Sequence, residues 1–107
     1  MPHNKRDHPE AREELRAAFN SAEDFWPGSG TAILNEADAA VTSILDAPEQ
    51  WAVVSDWDGE PVLRSKHFKT KPYRVIYFVR GDEVVVIAYA HERRQPGYWK
   101  HRVVEVA

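Results

Sequence analysis

The sequence contains no cysteine among its 107 residues, so disulfide bonds and thiolate metal sites are excluded. It also has no uninterrupted apolar run near the roughly 18 residues that a membrane-spanning helix requires. Residues 1–10 are polar and charged with no apolar segment behind them, so no secretory signal is predicted. These absences predict a protein of the reducing cytoplasm that makes no membrane contact.

Several catalytic motifs are missing as well. There is no glycine-rich phosphate loop, no GxSxG nucleophile motif and no metal-binding histidine pair at helical spacing. The second half of the chain has no acidic pair at a spacing that would hold a metal ion, which disfavours a metal-dependent nuclease. No metal or cofactor is therefore predicted.

The length fits a single domain over residues 1–107, in which polar residues 1–8 are predicted to be a disordered arm. The net charge of −3 hides an asymmetry along the chain. Residues 1–59 carry 4 Lys/Arg against 12 Asp/Glu, whereas residues 60–107 carry 10 against 5. This pattern indicates either an anionic partner for the basic half or an acidic helical surface beside a basic sheet.

Two amphipathic helices are predicted in the first half. Apolar residues recur at helical spacing from Pro9 to Trp26, with Asp7 as the expected N-cap, and Pro27 follows. A second apolar stripe begins near Ser29 or Thr31 and ends at Asp46. About five residues separate the helices, which is typical of an antiparallel helical hairpin.

The second half is rich in β-branched and aromatic residues. It predicts strands over residues 62–68, 73–79 and 83–90, with a tight turn at Gly81-Asp82. Tryptophans in the connection 47–61 are expected to plug the edge of the core. After Pro96 and Gly97 we expect a short helical or coil tail, or else a short extra strand. The predicted fold class is α+β, with the N-terminal helical hairpin packed on one face of a small antiparallel sheet.

The two-residue turn predicts a register in which Arg80 lies opposite Glu83. One face of this hairpin then carries no charge and is expected to lie under the helices. The other face has Ile76 and Phe78 in its middle and gathers Arg74, Tyr89 and His91 at one end. We expect this second face to be open to a partner, provided that the register has no slip.

Cations and aromatics are concentrated in the segment that follows the last strand. Such mixtures can contact phosphate and stack on bases, or can form a solvated edge. If the chain cleaves RNA, His91 or Tyr98 could transfer protons, and Arg74 with Arg93 or Arg94 could stabilise the phosphorane. The predicted partner-binding residues are Arg64, Lys66, Ile76, Phe78, Tyr89, Arg94 and Trp99.

Several strings of this sequence resemble the RelE/ParE toxin superfamily of bacterial type II toxin–antitoxin modules. The most specific part is YRVIY at residues 73–77, followed by the strand 84–90 and by HERRQPGYW at residues 91–99. The string APEQW at residues 47–51 adds to the resemblance. The similarity runs from about Pro9 to Arg102, and the tail is most similar to the ParE-like, plasmid-stabilisation branch.

The resemblance implies a small toxin that a cognate antitoxin covers in a hetero-oligomer. For the superfamily's ribosome-dependent mRNA nucleases, it implies roles for Arg74, for Arg64 and Lys66 on the preceding strand, and for Tyr98. Arg93 is the nearest match to their second arginine. The ParE-like branch instead poisons DNA gyrase and has no agreed catalytic set.

Two departures from the family pattern affect the functional prediction. Members usually begin with a strand, whereas residues 1–8 show no apolar alternation, so one sheet edge is expected to be bare. The isoelectric point near 5.9 suits a ribosomal RNA partner poorly. We therefore expect a gyrase-directed toxin, with an mRNA endonuclease or an inactive antitoxin-binding homologue as alternatives.

Overall fold

A computed structural model describes residues 4–106 as three helices and five strands. The helices are α1 (Pro9–Phe25), α2 (Ser29–Asp46) and α3 (Lys100–Val106). The strands are β1 (Asn4–Asp7), β2 (Ala52–Val53), β3 (Arg64–His67), β4 (Tyr73–Arg80) and β5 (Glu83–His91). None of the helices in this part of the chain is long and apolar enough to cross a membrane.

Helices α1 and α2 form the predicted hairpin. The N-cap of α1 is His8 rather than Asp7, since His8 Nδ1 accepts a hydrogen bond of 3.0 Å from the Glu10 N–H. The turn after Phe25 uses Gly28 at a φ of 92°, a conformation that glycine adopts without steric cost. The apolar stripe of each helix then rests on the sheet, as the sequence predicts.

The five strands lie in the order β1-β5-β4-β3-β2, and every pairing is antiparallel except that of β1 with β5. Strand β1 corrects the prediction of a disordered arm, because Asn4 pairs with Glu83 and Asp7 with Val86. It has no apolar alternation because it is an edge strand with largely exposed side chains, and charge on such an edge discourages aggregation. Residues 1–3 of the predicted arm lie outside the described residues.

The β4–β5 hairpin keeps the predicted register only as far as the pair Tyr77–Val86. Beyond that point Ile76 lies opposite Ala88, so Ile87 has no partner and forms a bulge. The extra residue exchanges the faces of β5. Tyr89 consequently joins the face under the helices, which corrects the predicted grouping of Tyr89 with Arg74.

The opposite face of the sheet is covered, which corrects the prediction of an open face. The segment before β3 contributes Val54 and Leu63, and the C-terminal segment contributes Trp99 and Val103. They pack over the side chains Ile76, Phe78, Val85, Ile87, Ala88 and Ala90. The chain thus has one apolar core on each side of an α+β sheet, and the predicted fold class is confirmed.

Both tryptophans of the connection 47–61 pack at core edges, as predicted. Trp51 contacts the core under the helices, and Trp57 contacts the opposite core, with its ring centroid 6.3 Å from that of Trp99. The tail is the predicted short helix, α3, and not an extra strand.

Candidate functional site

A groove of about 180 Å³ lies at the end of the sheet where β3 and β5 finish and β4 begins. Arg74 is half-buried on β4, between its neighbours Ala90 on β5 and His67 on β3. Its side chain makes no hydrogen bond or ion pair with any residue in the range 4–106, whereas its backbone is part of the strand pairing. The groove lining also includes His91, Glu92, Arg94, Gln95, Pro96, Tyr98 and Trp99.

Arg94 is a second cation of this groove without a carboxylate partner in the described chain. Its guanidinium carbon lies 3.9 Å from the centroid of the Tyr98 ring, which is a cation–π contact. Two guanidinium groups therefore line one groove, and the carboxylate in that lining, Glu92, lies against His67 at 3.6 Å rather than in an ion pair with either of them.

His91 lies beside these cations at the end of β5. Its Nδ1 accepts a hydrogen bond of 3.0 Å from the Arg93 N–H, so in the neutral ring the proton is on Nε2. The ring also makes an edge contact with Tyr73 at a centroid distance of 5.0 Å. His91 can thus donate a hydrogen bond in the groove. Arg93 itself is exposed.

The Tyr98 hydroxyl is already engaged within the fold. It donates a hydrogen bond to the Glu14 carboxylate on α1. Burial raises the pKa of Tyr98, and the hydrogen bond to the Glu14 carboxylate raises this pKa further. The phenol is therefore held neutral and hydrogen-bonded.

Glu14 is the residue of this region that sequence reasoning missed. Its Oε1 accepts hydrogen bonds from Arg102 Nη1 at 2.7 Å and from the Tyr89 N–H at 3.1 Å. Arg102 Nη1 also donates to the Ile87 carbonyl at 3.1 Å. Strand β5 extends beyond the end of β1, so these backbone groups would otherwise lack partners. Glu14 and Arg102 are 88 positions apart, so no local sequence pattern indicates their contact.

Arg64 and Lys66 lie on the other side of the sheet. Arg64 pairs with Tyr77 and Lys66 with Val75, so their side chains share the face that packs under the helices. Arg64 Nη1 donates a hydrogen bond of 2.8 Å to the Trp51 carbonyl. Lys66 Nζ lies 4.3 Å from the centroid of the Trp51 ring. The structure does not bring these two cations together with Arg74.

Four of the predicted partner-binding residues are buried within the fold. Tyr89 belongs to the core under the helices because of the bulge, whereas α3 and the segment before β3 cover the others. Those others are Ile76, Phe78 and Trp99, and none of the four is more than 2% exposed. As a correction to the predicted partner-binding face, these side chains contribute to packing rather than to an exposed surface.

One group of potential metal ligands, His8, Glu10 and Glu105, has donor atoms within 4.8 Å of one another in the described part of the chain. Since His8 Nδ1 accepts the Glu10 N–H, the neutral ring carries its proton on Nε2, which lies 2.9 Å from Glu105 Oε1. That proton occupies the position a metal would need. The hydrogen bond between His101 and Glu10 lowers the pKa of Glu10 and adds a further contact from α3. The group is suited to joining α3 to α1 by hydrogen bonds.

The sequence profile described as "ParE toxin of type II toxin-antitoxin system, parDE" matches residues 7–96. This range includes the helical hairpin, the sheet from β2 to β5 and most of the groove. The chain belongs to the ParE toxin family.

Solved structures agree with the fold of this ParE-family chain. The chromosomal ParDE toxin–antitoxin system of P. aeruginosa includes a chain that is similar at a TM-score of 0.69 and 14% identity, over 83% of this chain and 95% of that one. A doubly substituted mutant of the E. coli toxin RelE in the free state is similar at a TM-score of 0.66 and 15% identity, over 100% of both chains. A comparison with curated protein sequences finds no match.

Proposed function

We propose that this ParE-family chain is a cytoplasmic growth inhibitor that binds DNA gyrase, in a plasmid-stabilisation type of module, and that it does not cleave mRNA. The observation that carries the proposal is the separation of the residues a nuclease of this superfamily would use. Arg74 lies at the groove, whereas Arg64 and Lys66 share the opposite face with the helices.

The state of Tyr98 supports the same conclusion. A general acid or base must reach the reacting proton and have a pKa near the working pH. The hydroxyl of Tyr98 instead donates to Glu14, and its raised pKa opposes ionisation. Of the two residues predicted to transfer protons, His91 alone remains available near the cations, and His67, the other imidazole of the lining, lies 3.6 Å from Glu92. The groove is therefore better suited to binding an anion than to acid–base catalysis.

We infer that a cognate antitoxin occupies the groove and forms a hetero-oligomer with the toxin. Arg74 and Arg94 have no carboxylate partner within residues 4–106, although the chain carries 17 Asp/Glu. An acidic antitoxin segment would supply charge-assisted hydrogen bonds to both guanidinium groups. Truncating an interface arginine of this kind weakens binding, often by more than about 1 kcal/mol.

Two reactions with purified components test the choice of target. The first follows supercoiling of relaxed plasmid by DNA gyrase, and the second follows mRNA on translating ribosomes. We expect the chain to inhibit supercoiling and to leave the mRNA intact. Arg74→Ala is expected to retain this inhibition, because the proposed activity requires no catalysis by Arg74.

Cleavage of ribosome-bound mRNA that Arg74→Ala abolishes would contradict the proposal and establish the endonuclease. A folded chain that affects neither reaction, while still binding the protein encoded beside it, would establish an inactive homologue. The two alternatives therefore give different results in the same pair of reactions.

A further inference from the structure

The turn between α1 and α2 presents two large aromatic side chains to solvent. Phe25 is 89% exposed and Trp26 is 70% exposed, at adjacent positions where α1 ends. An exposed apolar patch of this kind commonly marks an interaction surface. Tryptophan is also among the residues that contribute most to binding energy at interfaces. We call Phe25 and Trp26 the aromatic tip.

The backbone that carries the aromatic tip is held by hydrogen bonds. The Glu23 carboxylate accepts from the N–H groups of Gly28 at 2.9 Å and Gly30 at 3.1 Å. Ser29 donates its own N–H to the Trp26 carbonyl at 3.0 Å, and its hydroxyl oxygen lies 2.6 Å from the same carbonyl. A fixed turn reduces the entropy lost on binding, so the tip is preorganised for a contact.

The charge around the aromatic tip limits the partners that it can take. Residues 17–63 contain 9 Asp/Glu and no lysine, arginine or histidine. Asp24 is exposed directly beside Phe25. Such a surface repels the phosphates of nucleic acids and of anionic lipids and attracts a cationic protein surface.

We propose that the aromatic tip docks into an apolar pocket rimmed by lysine and arginine on the gyrase protein. This inference rests on the proposed function, and it assigns the contact with the target to the helical hairpin. The groove around Arg74 has the opposite sign of charge and suits an anionic partner. The two surfaces therefore fit two partners of different chemistry.

The test measures the concentration of toxin that halves supercoiling by purified gyrase. The wild-type chain is compared with Phe25→Ser/Trp26→Ser and with Val104→Ser, which changes an apolar side chain of similar exposure, 74%, on α3. We expect the double variant to require at least about a tenfold higher concentration, because truncation of central aromatic contacts has large effects. Val104→Ser is expected to match wild type.

A second variant tests the charge requirement. Asp24→Lys reverses an exposed charge beside the aromatic tip without changing the hydrogen bonds of the turn. We expect it to weaken inhibition by about threefold or more at low salt, with a smaller effect at high salt because added ions screen exposed charges. Circular dichroism and thermal unfolding confirm that each variant is folded.

The outcomes separate the two proposals. A wild-type chain without effect on gyrase overturns the proposed function, and the docking assignment with it. Inhibition by the wild type that the double variant fully retains overturns the docking assignment alone. A double variant that loses self-association in sedimentation, with unchanged inhibition, would identify a second copy of the chain as the occupant of the tip.

Discussion

Glu13 and Glu14 are adjacent on α1, yet their carboxylates have opposite surroundings. Glu13 is exposed and lies 3.8 Å from Arg16 in a surface ion pair. The Glu14 side chain is only 14% exposed and binds the buried Arg102, the Tyr98 hydroxyl and the edge of β5. An exposed pair adds little stability, whereas breaking a buried pair leaves an uncompensated charge.

We therefore expect Glu14→Ala to lower the free energy of unfolding by about 3–5 kcal/mol, as loss of one partner in a buried pair does. Glu13→Ala serves as the matched control and is expected to cost at most about 0.5 kcal/mol. Urea unfolding followed by tryptophan fluorescence measures both values. The double variant Glu14→Leu/Arg102→Met should recover much of the loss, since it removes the unpaired charge. Equal losses of stability for Glu13→Ala and Glu14→Ala would show that the buried pair of Glu14 with Arg102 does not stabilise the packing of α3 against α1.

Among the elements, β1 is the one that its own residues indicate least, yet it completes the sheet by pairing with β5. The N–H groups of Asn4 and His8 both donate to carbonyls of the β5 side, at 2.9 Å each. Because strand residues alternate, the Arg6 N–H also points toward β5, whereas the Lys5 N–H points away from the sheet. The short strand thus protects the first half of β5 from solvent.

Proline substitutions can test this alternation. Arg6→Pro removes a donor to β5 and should lower the free energy of unfolding by about 1–3 kcal/mol, because a carbonyl of β5 loses its partner. Lys5→Pro removes a donor that faces away from the sheet, so its expected cost is under about 1 kcal/mol. Arg6→Ala controls for the exposed ion pair with Glu83. Urea unfolding measures the free energy of unfolding of the three variants. A greater loss of stability for Lys5→Pro than for Arg6→Pro would contradict the inferred direction of the two N–H groups.

The elements that could be predicted are those whose side chains have a buried face. The apolar spacing of α1 and α2 and the turn at Gly81 gave two helices and the β4–β5 hairpin. Strand β1 could not be predicted because its side chains pack on no core. The bulge at Ile87 could not be predicted either, since it changes no residue type and appears only in the pairing register.

For the molecule as a whole, the four tyrosines share one property, a raised pKa. Burial raises the pKa of each, and for Tyr77 the value is about 12. Unfolded phenols lose their protons near pH 10.0, while the folded chain still holds them. The unfolded state thus binds fewer protons above that pH, and stability falls as the pH rises.

Below about pH 9 we expect the tyrosines to contribute a constant amount to the free energy of unfolding. Between pH 10 and about 12 the free energy of unfolding should fall, and Tyr77 alone should account for a loss on the order of 2 kcal/mol. Urea midpoints across this range measure the slope. Tyr77→Phe keeps the ring and removes the proton, so its slope should be shallower than that of the wild type. Phenolate absorbance that rises near pH 10 in the still-folded chain would contradict the expected shifts.

The site was predictable to a similar extent as the fold. The tail string and Arg74 identified residues that line one groove, among them His91, Arg94 and Tyr98. The positions of Arg64 and Lys66 depend on the register in which β3 pairs with β4. The loop 68–72, which connects these two strands, has no fixed turn type that would set this register. The role of Glu14 depends on its contact with Arg102, which is distant in the sequence and becomes a neighbour only when the chain is folded.

The pairing of β1 with β5 also has a consequence for synthesis. Arg6 and Glu83 are 77 positions apart, so β1 has no partner during synthesis until β5 has been translated. At roughly 5–20 residues per second this interval is about 4–15 s. During that time residues 4–7 remain an unpaired segment whose charged side chains keep it in water. A nascent chain of this toxin therefore cannot close its five-stranded sheet until β5 has left the ribosome.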